Sequence, residues 1–240
     1  MAVQLNTRLV NPPRYYMVGA DDDVRKMMGA HGFLRTLDQN EAELIIFTGG
    51  PDINPIFYGE KRHPSTHISF NRDIADMAAL RKWKGPYEQA LVGICRGAQF
   101  LNVVVGHGSL WQNVNNHTHS HDMKIVSTGE LVTTSSTHHQ AMIPGPEANV
   151  VAWAAESTLK ETHQDTITFE IKQYRDVEAV FYPEANTLCF QGHPEINTPN
   201  NMNARRFFLS YIEDNLISAA QREALKDRRQ EMKLNKPKGN

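Results

Sequence analysis

The chain has 240 residues, 40% of them hydrophobic and 22% charged, which is enough apolar material for one sizeable α/β core. A formal net charge of −2 excludes the overall basic field of a nucleic-acid binder, and no apolar run reaches the roughly 20 residues that a membrane helix needs. The opening segment MAVQLNTRLVNPP lacks the apolar core of a signal peptide, so a cytoplasmic, reducing location is expected. A disulfide between the two cysteines, Cys95 and Cys189, is not expected there.

Tyr15–Val18 reads as a first strand after a Pro-Pro break, and Asp21-Asp22-Asp23 supplies a cap for the helix that follows. Leu44–Phe47 is an apolar run stopped by Gly49-Gly50-Pro51, which predicts a buried strand ending in a turn. From Asp73 to Lys84 an amphipathic helix is expected, with Ile74, Met77, Ala78 and Leu80 on its apolar side. Leu91–Ile94 is another buried strand and leads directly into a helix around Gln99–Val104. After Gly106 the texture changes to short β-rich segments near 124–126, 131–134, 150–154, 167–171, 177–182 and 188–191, followed by a helix from Met202 to Leu216. The alternation in the first half predicts an α/β fold with a mainly parallel central sheet flanked by helices, and the second half adds antiparallel strands. Residues 1–220 read as one catalytic domain. Residues 221–240 read as a charged C-terminal helix or tail, solvated or frayed, with a docking role for a partner left open.

The most informative stretch is Gly93-Ile94-Cys95-Arg96-Gly97. A strand runs into a reactive side chain flanked by glycines, and a helix begins, which is the pattern of a nucleophile elbow. The positive end of the helix dipole then faces the sulfur, and the Arg96 amide points to where an oxyanion would form. A structural cysteine between two packing glycines is the bland alternative.

A nucleophilic cysteine needs a histidine, itself held by a third group. His193 in Gln191-Gly192-His193-Pro194-Glu195 meets that need: the proline keeps His193 extended, and residues two apart on an extended chain share a face, so Glu195 can reach the ring. His117, His119 and His121 also alternate and would face one way in an extended chain. That could make a metal site, but apart from Asp122 on the wrong parity no acidic or cysteine pattern accompanies them, so a solvated or substrate-rim loop is expected and no metal is assigned. Cys189, beside Phe190 in an apolar strand, reads as a packing residue. The Asp52 and Tyr58 loop reads as a pocket mouth, with a purely structural turn as the alternative.

GICRGAQFLN followed by QGHPE resembles the class I glutamine amidotransferase superfamily, and within it the γ-glutamyl hydrolase branch. FTGGPDINPIFYGE, NRDIADMAAL, GHGSLWQNV, STHHQAM and VEAVFYP resemble further segments of that branch, in the same order, over residues 44 to 196. The resemblance implies a flavodoxin-like sheet and a Cys95, His193 and Glu195 triad. It implies an oxyanion hole from the Gly50 and Arg96 amides, and a γ-glutamyl site from Gln99, His138, His139 and Gln140. It implies cysteine-dependent hydrolysis of a small-molecule γ-glutamyl amide through a thioester, with no cofactor. A glutaminase subunit feeding a synthetase partner, or a non-catalytic binding protein on the same scaffold, are the alternatives; nucleic-acid or membrane partners are not expected, and oligomerisation is left open. Where the family commonly has an aromatic residue before the catalytic histidine, this chain has Gly192, which implies a more open pocket wall.

Overall fold

The structure, a computed structural model, describes residues 11–114, 117–156, 161–164, 167–170 and 175–235. Chain order runs β1 (Arg14–Val18), α1 (Asp22–Ala30), β2 (Leu34–Arg35), β3 (Leu44–Phe47), α2 (Phe70–Arg81), β4 (Ala90–Ile94) and α3 (Arg96–Val104). Then come β5 (Ser109–Trp111), β6 (His121–Ile125), β7 (Leu131–Thr134), β8 (Ala141–Ile143) and β9 (Asn149–Ala154). The chain continues through β10 (Glu161–Gln164), β11 (Ile167–Glu170), β12 (Val177–Tyr182), β13 (Thr187–Phe190), α4 (Met202–Asn215) and α5 (Ala219–Leu234).

The main sheet has the order β2-β1-β3-β4-β13-β12-β9-β6-β7, with β5 and β8 paired beside it. β2, β1, β3, β4 and β13 are parallel, and from β12 outward the neighbours are antiparallel, as the sequence predicts. β3, β4 and β13 are buried along their whole length, which explains their unbroken apolar runs. Alternate β3 side chains feed opposite faces. Leu44 and Ile46 join a core with Met28 of α1, Phe208 of α4 and Leu225 of α5, whereas Ile45 and Phe47 pack with Ala98, Phe100 and Leu101 of α3.

Helix α1 starts where the acidic run predicts, with the Asp21 side chain accepting from the Asp23 and Val24 amides. Helix α2 keeps part of its expected apolar side: Met77 and Leu80 pack, partly buried, on the core, whereas Ile74 and Ala78 face outward. Asp73, Asp76 and Ala79 are its buried residues, and Ile74 is 67% exposed. The two aspartates take the fully buried positions because both pair with the buried Arg96 of α3, an ionic contact that no hydrophobic periodicity encodes.

Of the charged C-terminal segment, Ala219–Leu234 form helix α5 packed on the domain, and residues 236–240 lie outside the described residues. Ser218 and Gln221 make a capping box, Leu225 is fully buried, and Arg229 donates to both carboxylate oxygens of Glu213 at 2.7 and 3.2 Å. Leu225→Ala is therefore expected to cost about 2–3 kcal/mol of stability in urea unfolding. A loss below about 0.5 kcal/mol would mean that α5 is merely laid on the surface.

Parallel neighbours β3, β4 and β13 end side by side. Their carboxyl ends lead into Gly49-Gly50, Cys95 and His193, and the crevice beyond strand ends of this kind is where α/β sheets hold ligands.

Candidate active site

At the end of β4 the backbone turns through Cys95 at φ 50° and ψ −111°, and α3 begins at the next residue. A side chain at positive φ persists only where its surroundings over-determine it. Here the surroundings are two glycines. A Cβ on Gly93 would lie 2.5 Å from the backbone of Ala98, and one on Gly97 would lie 2.1 Å from the Phe47 carbonyl oxygen. Close approach of strand and helix thus dictates both glycines and throws the Cys95 sulfur forward into a cavity.

His193 is fixed from several sides. Its backbone N–H donates to Ser135 O at 2.8 Å, and Asn201 Nδ2 donates to His193 O at 2.7 Å. The ring meets Glu195 Oε1 through Nδ1 at 2.6 Å and Thr137 Oγ1 through Nε2 at 2.9 Å. Arg205 of α4 donates to Glu195 O at 2.6 Å and holds the His-Pro-Glu turn from outside. Burial disfavours the charged ring, but hydrogen bonds to Cys95 and Glu195, together with their charges, outweigh it and push His193 up to about 10. Because this value lies above the ordinary 6.5, the ring's contribution to stability is complete below about 6.5 and is lost as pH rises through about 10. Denaturant titrations from pH 6 to 10 should show this loss, and His193→Gln should remove it; an unchanged slope in the variant would locate the titration elsewhere.

The loop after β3 is held by a buried ionic layer. Arg72 of α2 donates to Gly49 O at 2.9 Å and to Thr48 O at 2.7 Å, and its Nε meets Asp76 at 2.9 Å. With the Gly49 carbonyl tied to Arg72, the trans peptide turns the Gly50 N–H the opposite way. Arg96, 1% exposed, donates to Pro51 O at 2.9 Å and to Asp73 at 2.5 Å, and also pairs with Asp76. Burial and the neighbouring Arg72 charge bring Arg96 down to about 10, against the opposing pull of Asp73.

A cavity of 370 Å³ opens over Cys95, walled by Gly50, Arg96, Gln99, His139 and His193. His138 also borders it, though only 4% of that residue is exposed. Gln140 is fully buried behind the wall, where its carbonyl accepts from Gln99 Nε2 at 3.2 Å and from His138 Nδ1 at 2.7 Å. Asp52 stands at the mouth, its carboxylate within 2.9 and 3.1 Å of His139 Nε2 and accepting the His67 N–H at 2.8 Å. That hydrogen bond raises His139 above the ordinary histidine range, against the opposing pull of burial. Tyr58 is set back from the mouth, and Asp52 holds it alone among the two residues expected there.

Thr137, His67, Arg72 and Asn201 are site residues that sequence reasoning missed. Thr137 carried a signal, since it lies inside the STHHQ element. The open wall implied by Gly192 is corrected: a Cβ there would fall 2.2 Å from Thr134 Oγ1, so β7 already fills the space. The histidine alternation is corrected too. His119 is exposed, but His117 is buried and His121 is half-buried, and both meet acidic groups contributed by β12 and the residue before it.

A sequence model of the family described as peptidase C26 matches residues 34–195. The chain belongs to the peptidase C26 family. This C26 protein is 30% identical over 158 residues to the “Putative glutamine amidotransferase Rv2859c” of Mycobacterium tuberculosis, covering 63% of this chain and 50% of that one. It is 29% identical over 156 residues to the “Putative glutamine amidotransferase-like protein YvdE” of Lactococcus lactis, covering 63% and 65%. The chain thus spans half to two thirds of the length of these relatives. A solved structure titled “putative gmp synthase subunit a protein”, from Thermoplasma acidophilum, superposes with a TM-score of 0.58 at 13% identity, over 93% of this chain and 99% of that one. This C26 protein shares its α/β fold with that solved structure. Its second cysteine, Cys189, is fully buried in β13, and burial pushes that thiol up, consistent with packing. No described helix is long and apolar enough to cross a membrane.

Proposed function

We propose that this chain hydrolyses a γ-glutamyl amide by cysteine-dependent acyl transfer. The observation that carries this reading is the convergence of three adjacent strand ends, which sets Cys95 in a strained turn beside the His193–Glu195 pair and under one cavity bordered by Gln99, Thr137 and His139. The Cys95 thiol passes its proton to His193 as the sulfur attacks the γ-carbonyl carbon, and the oxyanion settles between the N–H groups of Gly50 and Arg96. His193 gives its Nε2 proton to the departing amine, leaving a Cys95 thioester. Water then surrenders a proton to His193 as it attacks the thioester, and glutamate and the free thiol are released. Glu195 orients the ring throughout, as the third member of a triad does. Gln99 and His139 face the glutamyl group. His138 and Gln140 support that wall from behind, and no cofactor enters the cycle.

The reaction suits a cytoplasmic setting in which the thiol stays reduced. The test is to incubate the protein with glutamine and with γ-glutamyl amines, following amine or ammonia release. Acid-quenched samples are then searched by mass spectrometry for a glutamyl adduct on the Cys95 peptide. Absence of both turnover and adduct would overturn the reading in favour of a non-catalytic protein.

One observation favours a second reading, in which the chain supplies ammonia to a synthetase. Ile56, Phe70 and Ile74 are 75%, 64% and 67% exposed around the loop that follows Gly50, an apolar surface of the kind that marks a partner interface. Under that reading glutamine is hydrolysed only with the partner present, and γ-glutamyl amines are not hydrolysed.

A further inference from the structure

We propose that His117, His138 and Glu178, with His121 as fourth ligand, form a Zn²⁺ site directly behind the wall of the catalytic cavity. His117, His138 and Glu178 are 1%, 4% and 1% exposed, and one potential ligand atom from each lies within 4.8 Å of the others. Around a tetrahedral zinc ion with nitrogen and oxygen ligands, neighbouring ligand atoms stand about 3.4 Å apart. His117 Nδ1 and Glu178 Oε1 are already 3.9 Å apart, so small side-chain adjustments would close the cluster on an ion.

The hydrogen bonds around the cluster set the ring tautomers. His138 Nδ1 faces the Gln140 carbonyl at 2.7 Å, and a carbonyl only accepts, so the proton sits on Nδ1 and the Nε2 lone pair points inward. That Nε2 is fully buried without a hydrogen-bond partner, and so is Glu178 Oε2. His117 meets the Asp176 carboxylate through Nε2 at 3.1 Å, which turns Nδ1 toward Glu178. His121 donates from Nδ1 to His119 O at 3.1 Å and brings Nε2 within 2.9 Å of Glu178 Oε1, a contact that needs a proton or a cation between two electron-rich atoms. All three rings therefore hand one nitrogen to a carboxylate or carbonyl and aim the other at the same buried carboxylate. That is the arrangement in which outer partners orient histidine ligands. Three imidazoles and a carboxylate suit Zn²⁺, and four protein ligands make the site structural. The ion would tie the segment before β6 to β12 and to residues 135–140. Those residues place Thr137 against His193 and His139 against Asp52.

The proposal does not depend on the chemistry at Cys95 and is tested without an activity assay. The chelator-stripped full chain is titrated with Zn²⁺ by calorimetry and with Co²⁺ by visible absorption. Binding of one equivalent of Zn²⁺, with the intense visible bands of tetrahedral Co²⁺, is expected. Glu178→Gln and His138→Gln should each weaken Zn²⁺ binding by about 100-fold or more, given that loss of a mere outer partner costs 10–100-fold. Cys95→Ala and His119→Ala should retain the equivalent. Loss of binding in Cys95→Ala with retention in Glu178→Gln would assign the ion to the catalytic cysteine and overturn the proposal. Failure of the wild-type chain to bind Zn²⁺ overturns it whether or not the variants fold, leaving a hydrogen-bonded ion pair at Glu178.

Discussion

Under the proposed mechanism, Cys95→Ala is expected to lower γ-glutamyl amide hydrolysis by about 10⁴-fold or more, because it removes the sulfur that forms the thioester. The change should leave folding nearly untouched. Alanine has the same Cβ and differs only by the sulfur, which projects toward the cavity, and the positive φ is imposed by the Gly93 and Gly97 contacts whichever residue stands there. The measurement is steady-state amine release at saturating substrate, with melting temperature as the control. Activity within about tenfold of wild type would refute the nucleophile assignment outright. His193→Gln should approach the same loss, whereas Glu195→Gln should fall short of it, since an orienting carboxylate acts only through the ring it holds.

The parts of this site that were legible in the sequence are those written in local spacing. Two glycines around Cys95 encode an elbow because each glycine answers a backbone contact between strand and helix that are consecutive in the chain. His193 and Glu195 are two apart on one extended segment, so their pairing needs no knowledge of the rest of the fold. Thr137 and Arg72 escaped because their partners come from distant segments, and Asn201, only 8 positions from His193, because it reaches back across an irregular turn that no period describes. Arg72 reaches Gly49 across 23 positions and Thr137 reaches His193 across 56, and neither separation leaves a periodic trace. The burial of Asp73 and Asp76 on α2 has a related cause: they look like solvent-facing residues until Arg96, brought in by the elbow helix, provides a buried cation. The histidine alternation likewise read as solvated because Asp176, Glu178 and His138 lie far along the chain and meet it only when β12 packs near β6.

Arg96→Met is expected to cost about 3–5 kcal/mol, because it leaves buried carboxylates without their cation. Asp73 and Asp76 are 4% and 0% exposed, so water cannot replace the guanidinium. Arg72 stays with Asp76 but contributes a single charge to two carboxylates. Asp73 already lies above the ordinary carboxylate range because burial outweighs the Arg96 charge, and removing that charge raises it further. A carboxyl raised in the folded state binds its proton more readily there than in the unfolded chain. The deficit of the variant should therefore narrow as pH falls, and the gain is complete only below the ordinary 3.8. Urea unfolding at several pH values reads this directly. A companion variant, Arg96→Met with Asp73→Asn, removes one orphaned charge and should recover part of the loss at neutral pH. A deficit that ignores pH and is not relieved by the companion change would mean that lost packing over Phe100 dominates. The main-chain N–H of residue 96 survives in every variant, so catalytic loss beyond the unfolded fraction would report how far the Pro51 carbonyl, released from Arg96, lets the Gly49-Gly50 loop drift. The side chain of Arg96 thus holds the loop, and its backbone faces the cavity.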